Sequence, residues 1–119
     1  KFKNKYATEK FKKNKYETEK IKKNKYATEK IKSIPNLNVV DSTGAFYLFV
    51  DVSHYCSGVN GLNTSEEFCD WLLENYFIAF VPGEVFGTPG FMRLSYALSD
   101  EDLENGLSRL SEAIDNLNE

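Results

Sequence analysis

Val81-Pro82-Gly83-Glu84-Val85-Phe86-Gly87-Thr88-Pro89-Gly90-Phe91-Met92-Arg93-Leu94-Ser95-Tyr96-Ala97 reads as the end of one strand, a loop and a second strand. Pro82-Gly83 stops a β-prone run that begins at Ile78, because proline lacks the N–H a ladder needs. Gly87 and Pro89-Gly90 mark the loop. Phe91 to Ala97 then alternates like a strand. Arg93 sits in the middle of that strand among apolar neighbours. A guanidinium there needs a partner if it is buried, and a carboxylate suits its planar fork. From the pattern alone, a structural salt bridge is favoured over a ligand site.

Helical signals flank this stretch on both sides. Thr64-Ser65-Glu66-Glu67 matches a capping box, in which the Thr64 hydroxyl and the Glu67 carboxylate each serve backbone N–H groups. The helix it opens runs to about Tyr76, with Phe68, Trp71, Leu72 and Tyr76 as its core face. Ser99 caps a final helix whose first turn carries Asp100, Glu101 and Asp102, where the helix dipole favours acids. Leu103, Leu107, Leu110, Ile114 and Leu117 make one apolar stripe along it.

Further upstream, Ala45 to Val50 is aromatic and continuous enough for a buried strand, and Leu37 to Val40 is a short β-prone run. Asp41 to Gly44 is a turn between them, and His54 to Asn63 is a loop containing Gly58 and Gly61. The order β-β-α-β-β-α predicts an α+β unit: a small antiparallel or mixed sheet with helices packed on one face, preceded by a long basic helix.

That preceding segment is a repeat. KFKNKYATEK, FKKNKYETEK and IKKNKYATEK follow one another over residues 1–30, and Ile31-Lys32 continue the pattern. Lysine, glutamate and alanine favour helix, and no glycine or proline interrupts before Pro35. Phe11, Tyr16, Ile21, Tyr26 and Ile31 are spaced by five, so each advances about 140° around a helix. They spiral and offer no single stripe to bury, which predicts a solvated helix firming up toward its C-terminal end. A ten-residue unit is also too short for a packed solenoid turn.

Charge marks the boundary. Residues 1–32 hold 13 lysines against four glutamates, a net of +9. Residues 33–119 hold no lysine, two arginines (Arg93 and Arg109) and 14 acids, a net of −12. The expected organisation is a Lys-rich repeat helix over 1–32 and one α+β domain over 33–119, consistent with the 119-residue length. A basic helix interleaved with aromatics can bind an anionic partner. A solvated face, or contact with the chain's own acidic half, is the favoured reading, and nucleic acid is not expected as a partner.

Several chemistries find no support. There is no Walker loop, nucleophile elbow or metal signature. His54, Cys56 and Cys69 lack a fourth ligand and the close spacing of a zinc site, so no metal is expected. No export signal and no apolar run of membrane-spanning length is present, so the expected setting is the cytoplasm, with no membrane partner and two free thiols.

Four blocks, in order, resemble the end of the class I/II pyridoxal-phosphate-dependent aminotransferases, in particular the bacterial aspartate aminotransferase branch. They are Gly44-Ala45-Phe46-Tyr47; Ser65 to Cys69 with Leu72-Leu73; Val81-Pro82-Gly83 with Phe86-Gly87; and Gly90-Phe91 with Arg93 to Ala97. Ser33 to Leu37 and the helix before it are similar to the family's approach to its small domain. The resemblance makes the third decapeptide the native helix and the first two tandem copies of it.

What the resemblance implies is specific. The fold is that of the aminotransferase small domain. Arg93 takes the role of the arginine that holds the substrate α-carboxylate, which reverses the salt-bridge preference, and Phe86 becomes a wall near the mouth of the site. A guanidinium turned away from any cleft would count against that role. The substrates are an amino acid and a 2-oxo acid, reached through a large domain that also carries the cofactor lysine. No counterpart of that lysine is found: every lysine lies within residues 1–32, most of them in the KNKY and TEK contexts of the repeat. Val50 stands where a proline is common. No catalytic or cofactor-binding residue is therefore assigned, stable binding of pyridoxal phosphate by this chain is not expected, and alone it should not transaminate. Apolar surface that faced the large domain leads to an expectation of marginal stability or of association, with a homodimer as one form.

The leading reading is an aminotransferase fragment that contributes the α-carboxylate arginine. The alternative is a non-catalytic interaction module whose basic repeat binds an anionic partner. A third is a decayed remnant, suggested by the near-identical repeats.

Overall fold

The computed structural model describes residues 19–40 and 47–118. The first two decapeptides and the Asp41–Phe46 turn and strand start lie outside the described residues.

Four strands form one antiparallel sheet, in the spatial order β1 (Asn38–Val40), β2 (Tyr47–Asp51), β4 (Phe91–Ser95), β3 (Val81–Pro82). The alternatives of an antiparallel or a mixed sheet thus resolve to antiparallel. The expected strand at Ile78 to Val81 pairs only at Val81 and Pro82, so pairing starts later and includes the proline. An edge position allows this, since one side of Pro82 faces no strand among the described residues.

Strand alternation divides the sheet into two faces. Leu48, Val50, Met92 and Leu94 point to one side and are buried. Three helices cover that side: α1 (residues 19–32 of the chain), α2 (Ser65–Tyr76) and α3 (Asp100–Leu117). Phe68, Cys69 and Leu72 of α2 join Leu103, Leu107, Leu110, Ala113 and Ile114 of α3 in one core with the strand residues. The predicted stripe on α3 is present, with Leu117 half-buried at its end.

Both N-caps form. Thr64 Oγ1 accepts from Glu67 N at 3.0 Å, and Ser99 Oγ accepts from Asp102 N at 3.1 Å. The Glu67 carboxylate accepts from Asn63 N at 3.3 Å, one residue before the cap. α2 ends where Phe77 turns left-handed (φ 57), its N–H and that of Ile78 closing onto the Leu73 and Leu72 carbonyls.

α1 differs from its expectation. It does bury a face: Ala27 and Ile31, four residues apart, are fully buried, and Ile34 follows them into the core. The five-residue spacing counted only large side chains. Ala27 allows the close approach that a larger residue would prevent. Asn24 Nδ2 donates to Tyr96 Oη at 3.2 Å, and Lys23 Nζ donates to the Leu98 carbonyl while lying 4.0 Å from Asp100.

Candidate functional site

Arg93 projects from β4 on the face opposite the helices, because its neighbours Met92 and Leu94 are committed to the core. Register places Phe49 of β2 opposite it on one side and Val81 of β3 on the other. Its guanidinium carbon stands 4.3 Å from the Tyr47 ring centroid and 5.7 Å from that of Phe86. Both distances suit attraction of a cation to the ring quadrupole. Among the described residues no carboxylate lies within 4.0 Å of the guanidinium, so the structural salt bridge expected from pattern alone is not formed there. The two rings flank the side chain on the face opposite the helices.

Phe86 reaches this face through a tightly folded loop. It meets Phe49 edge-on, with ring centroids 5.4 Å apart and planes at 73°. The loop begins at Gly83, where a Cβ would fall 1.8 Å from the Thr88 carbonyl oxygen. Thr88 N donates to the Gly83 carbonyl at 2.8 Å, which closes the turn. Only glycine allows this approach.

A buried hydroxyl ties the loop to α2. Ser65 is fully buried; its Oγ donates to Glu84 Oε1 and accepts from Gly90 N at 3.0 Å. Glu84 Oε2 also accepts from Glu66 N at 3.3 Å, at the start of the helix. Partial desolvation works to raise the Glu84 carboxyl, but the donors from Ser65 Oγ and from the backbone of Glu84, Glu66 and Ser65 outweigh it and hold its pKa below the ordinary value. Gly90 in turn accepts from Val52 N at 2.8 Å, just past β2. Both ends of the loop are thereby anchored, one to a helix and one to a strand.

Sequence reasoning named Arg93 and Phe86, and the structure brings these two together. It did not single out Tyr47, Phe49, Ser65 or Glu84. Tyr47 and Phe49 were detectable from period-two alternation, had the strand not been read as buried on both faces. The Ser65–Glu84 contact joins the start of α2 to the loop across 19 positions and left no local signal.

Other constellations carry less. The thiols of Cys56 and Cys69 are free; burial pushes them up to about 11 and about 12. Among the described residues no group of three or more His, Cys, Asp or Glu could hold a metal ion, and no helix is long and apolar enough to cross a membrane. Clefts lie away from Arg93. One of about 240 Å³ runs between Tyr26 and Leu103. Another of about 370 Å³ lies along Phe77, Ile78, Leu94 and Leu98. Among the described residues, Phe86 walls the Arg93 face on one side.

Comparison with known proteins adds a family. Residues 5–110 match the family described as aminotransferase class I and II. A probable aspartate/prephenate aminotransferase of Aquifex aeolicus is 46% identical over 84 residues, covering 71% of this chain and 21% of that protein. The crystal structure of the aspartate aminotransferase from Rhizobium meliloti superposes with a TM-score of 0.73 at 32% identity, covering 82% of this chain and 26% of that one. An aspartate aminotransferase from Thermotoga maritima gives 0.71 at 33% identity, covering 86% and 25%. The chain thus spans about a fifth to a quarter of the length of these relatives.

Proposed function

Because the chain belongs to the class I and II aminotransferases, we propose that Arg93 grips the α-carboxylate of an amino-acid or 2-oxo-acid substrate, in an active site completed by a surface outside the described residues. The observation that carries this is the state of the guanidinium. It is raised on two aromatic rings, aimed away from the core, and meets no carboxylate among the described residues. A bidentate pair with a carboxylate suits that planar fork and fixes the orientation of the ligand, which is a positioning effect. Phe86 forms one wall. The clefts among the described residues lie elsewhere, which counts against the role for these residues by themselves, so the completing surface must supply the opposite wall.

The described residues do not themselves fit pyridoxal phosphate, the cofactor of the family. Its chemistry needs a lysine beside the substrate. No lysine occurs after Lys32, and Lys23 is held by the Leu98 carbonyl and Asp100 on the helical side of the sheet. No step through the cofactor is derived for this chain. The lysine and the cofactor would come from the completing surface, and side-chain selectivity from that surface and, in a homodimer, from a second subunit.

The alternative reading, an anionic partner on the basic repeat, has less support. In the third decapeptide Ala27 and Ile31 are committed to the core and Lys23 to the chain's own acceptors.

The test is a titration of the isotope-labelled full chain with aspartate and with its diamide, which lacks both carboxylates. The Arg93 Nε–H resonance and the Tyr47 and Phe86 ring signals should shift with the carboxylate ligand only. Arg93→Lys should weaken the interaction at least tenfold, because an ammonium cannot make the bidentate contact. Equal shifts with both ligands, or none at Arg93, would overturn the proposal.

A further inference from the structure

The groove that receives α1 reads a short sequence code. Lys23, Asn24, Ala27 and Ile31 make the contacts: Lys23 to the Leu98 carbonyl, Asn24 to Tyr96 Oη, and Ala27 and Ile31 to the core. Thr28 Oγ1 donates to Asn24 Oδ1 at 3.3 Å and orients that amide. These contacts fall within KNKYATEK, residues 23–30, plus the isoleucine after it.

The same octapeptide occurs without a change at residues 3–10. Lys3, Asn4, Ala7 and Thr8 repeat the code, with Phe11 where the docked copy has Ile31. The middle copy does not repeat it. Glu17 stands at the position of Ala27, a residue with no exposed surface, and a carboxylate there would be buried without a partner. The groove therefore separates the copies: one is docked, one is excluded, and one carries every polar contact residue.

We propose that this groove is a binding site for the KNKYATEK helix with two ligands in the same chain, residues 23–31 in the described register and residues 3–11 in a second. Taking up the second register releases residues 23–31 from the groove and keeps Ile34 and Leu37 in the core. The bridge from Phe11 to Ile34 is long compared with the single turn that separates Ile31 from Ile34. Loop-closure entropy rises only slowly with length, so a bridge of that size is no barrier. Tethering favours the chain's own copy over one from another molecule at ordinary protein concentrations. The larger Phe11 in a site shaped for isoleucine makes the second register the minor one. The inference is independent of the carboxylate-binding role.

Hydrogen exchange on the full chain tests it, because docked amides are protected. Ala27→Glu copies the middle repeat into the docked one. In that variant residues 23–31 should lose protection, residues 3–11 should gain at least tenfold over the parent chain, and β4 and α3 should stay protected. Adding Ala7→Glu should abolish the gain. Adding Phe11→Ile instead restores the whole code to the first copy and should increase the gain, even if phenylalanine fits poorly. Protection of residues 3–11 in either Ala27→Glu background, removed by Ala7→Glu, supports the proposal. It is overturned if neither background protects those residues. It is also overturned if the protection disappears on dilution with a change in mass, since the ligand would then be a second molecule.

Discussion

The two faces of the sheet are made by the same strands, residue for residue, and meet opposite fates. On the helical face Leu48, Val50 and Met92 have no exposed surface and Leu94 has 7%. On the other, Tyr47, Phe49, Phe91 and Arg93 stay half-buried or exposed although three of the four are aromatic. Apolar area removed from water stabilises a fold at about 25 cal/mol per Å², so the helical face supplies most of the free energy. The open face keeps large rings where they contribute least to folding. With the proposed carboxylate-binding role of Arg93, the division of labour is between stability on one side and ligand contact on the other.

The largest expected effect is the sharpest test of that division. Leu48→Ala and Phe49→Ala remove neighbouring side chains on opposite faces. The first should cost about 2–5 kcal/mol, as buried leucine truncations do. The second should cost about 1 kcal/mol or less, because its ring is only partly removed from water. Urea unfolding of the two variants gives the comparison directly, and similar losses would break it.

Ser65→Ala comes next. It strands the Gly90 N–H and removes a donor to Glu84, and an unsatisfied buried group costs about 1–3 kcal/mol. Its effect should also cross the sheet, loosening Phe86 against Phe49. The aromatic cross-peaks between those rings should weaken while the helical core keeps its spectrum. A uniform loss over both faces would mean that the latch serves stability alone.

The smallest effect is a slope. Both thiols lie above their ordinary value of 9.0, Cys56 at about 11 and Cys69 at about 12, with burial as the main cause. A raised acid contributes stability that is complete below its unfolded pKa and is lost as pH rises through the folded one. Stability should therefore fall between about pH 9 and pH 12. Cys69→Ala should flatten that fall, measured by denaturant midpoints across the range. An unchanged slope in Cys69→Ala would place the alkaline loss elsewhere.

Much of this architecture was readable from the residues. The caps at Thr64 and Ser99 and the stripe from Leu103 to Ile114 are local patterns, and local patterns survive folding. The direction of Arg93 was less readable, since apolar residues on both sides of it gave alternation little contrast. Only the commitment of Met92 and Leu94 to the core turns it outward. The burial of α1 was hidden for a different reason: its contact is made by an alanine, which a search for large apolar side chains passes over. The Ser65–Glu84 latch depends on two segments meeting in space, and neither alone carries a sign of it.

The short β3 strand has a consequence for the chain's life in a crowded solution. Half-exposed rings on an open sheet invite stacking, and an unpaired strand edge invites growth by strand addition. At this edge an incoming strand would meet only Val81 and Pro82, one of which has no N–H to offer, before the backbone turns away at Gly83. That leaves too short a template for an added strand to extend. The sheet can thus keep its half-exposed rings on the Arg93 face without seeding a fibril from that edge.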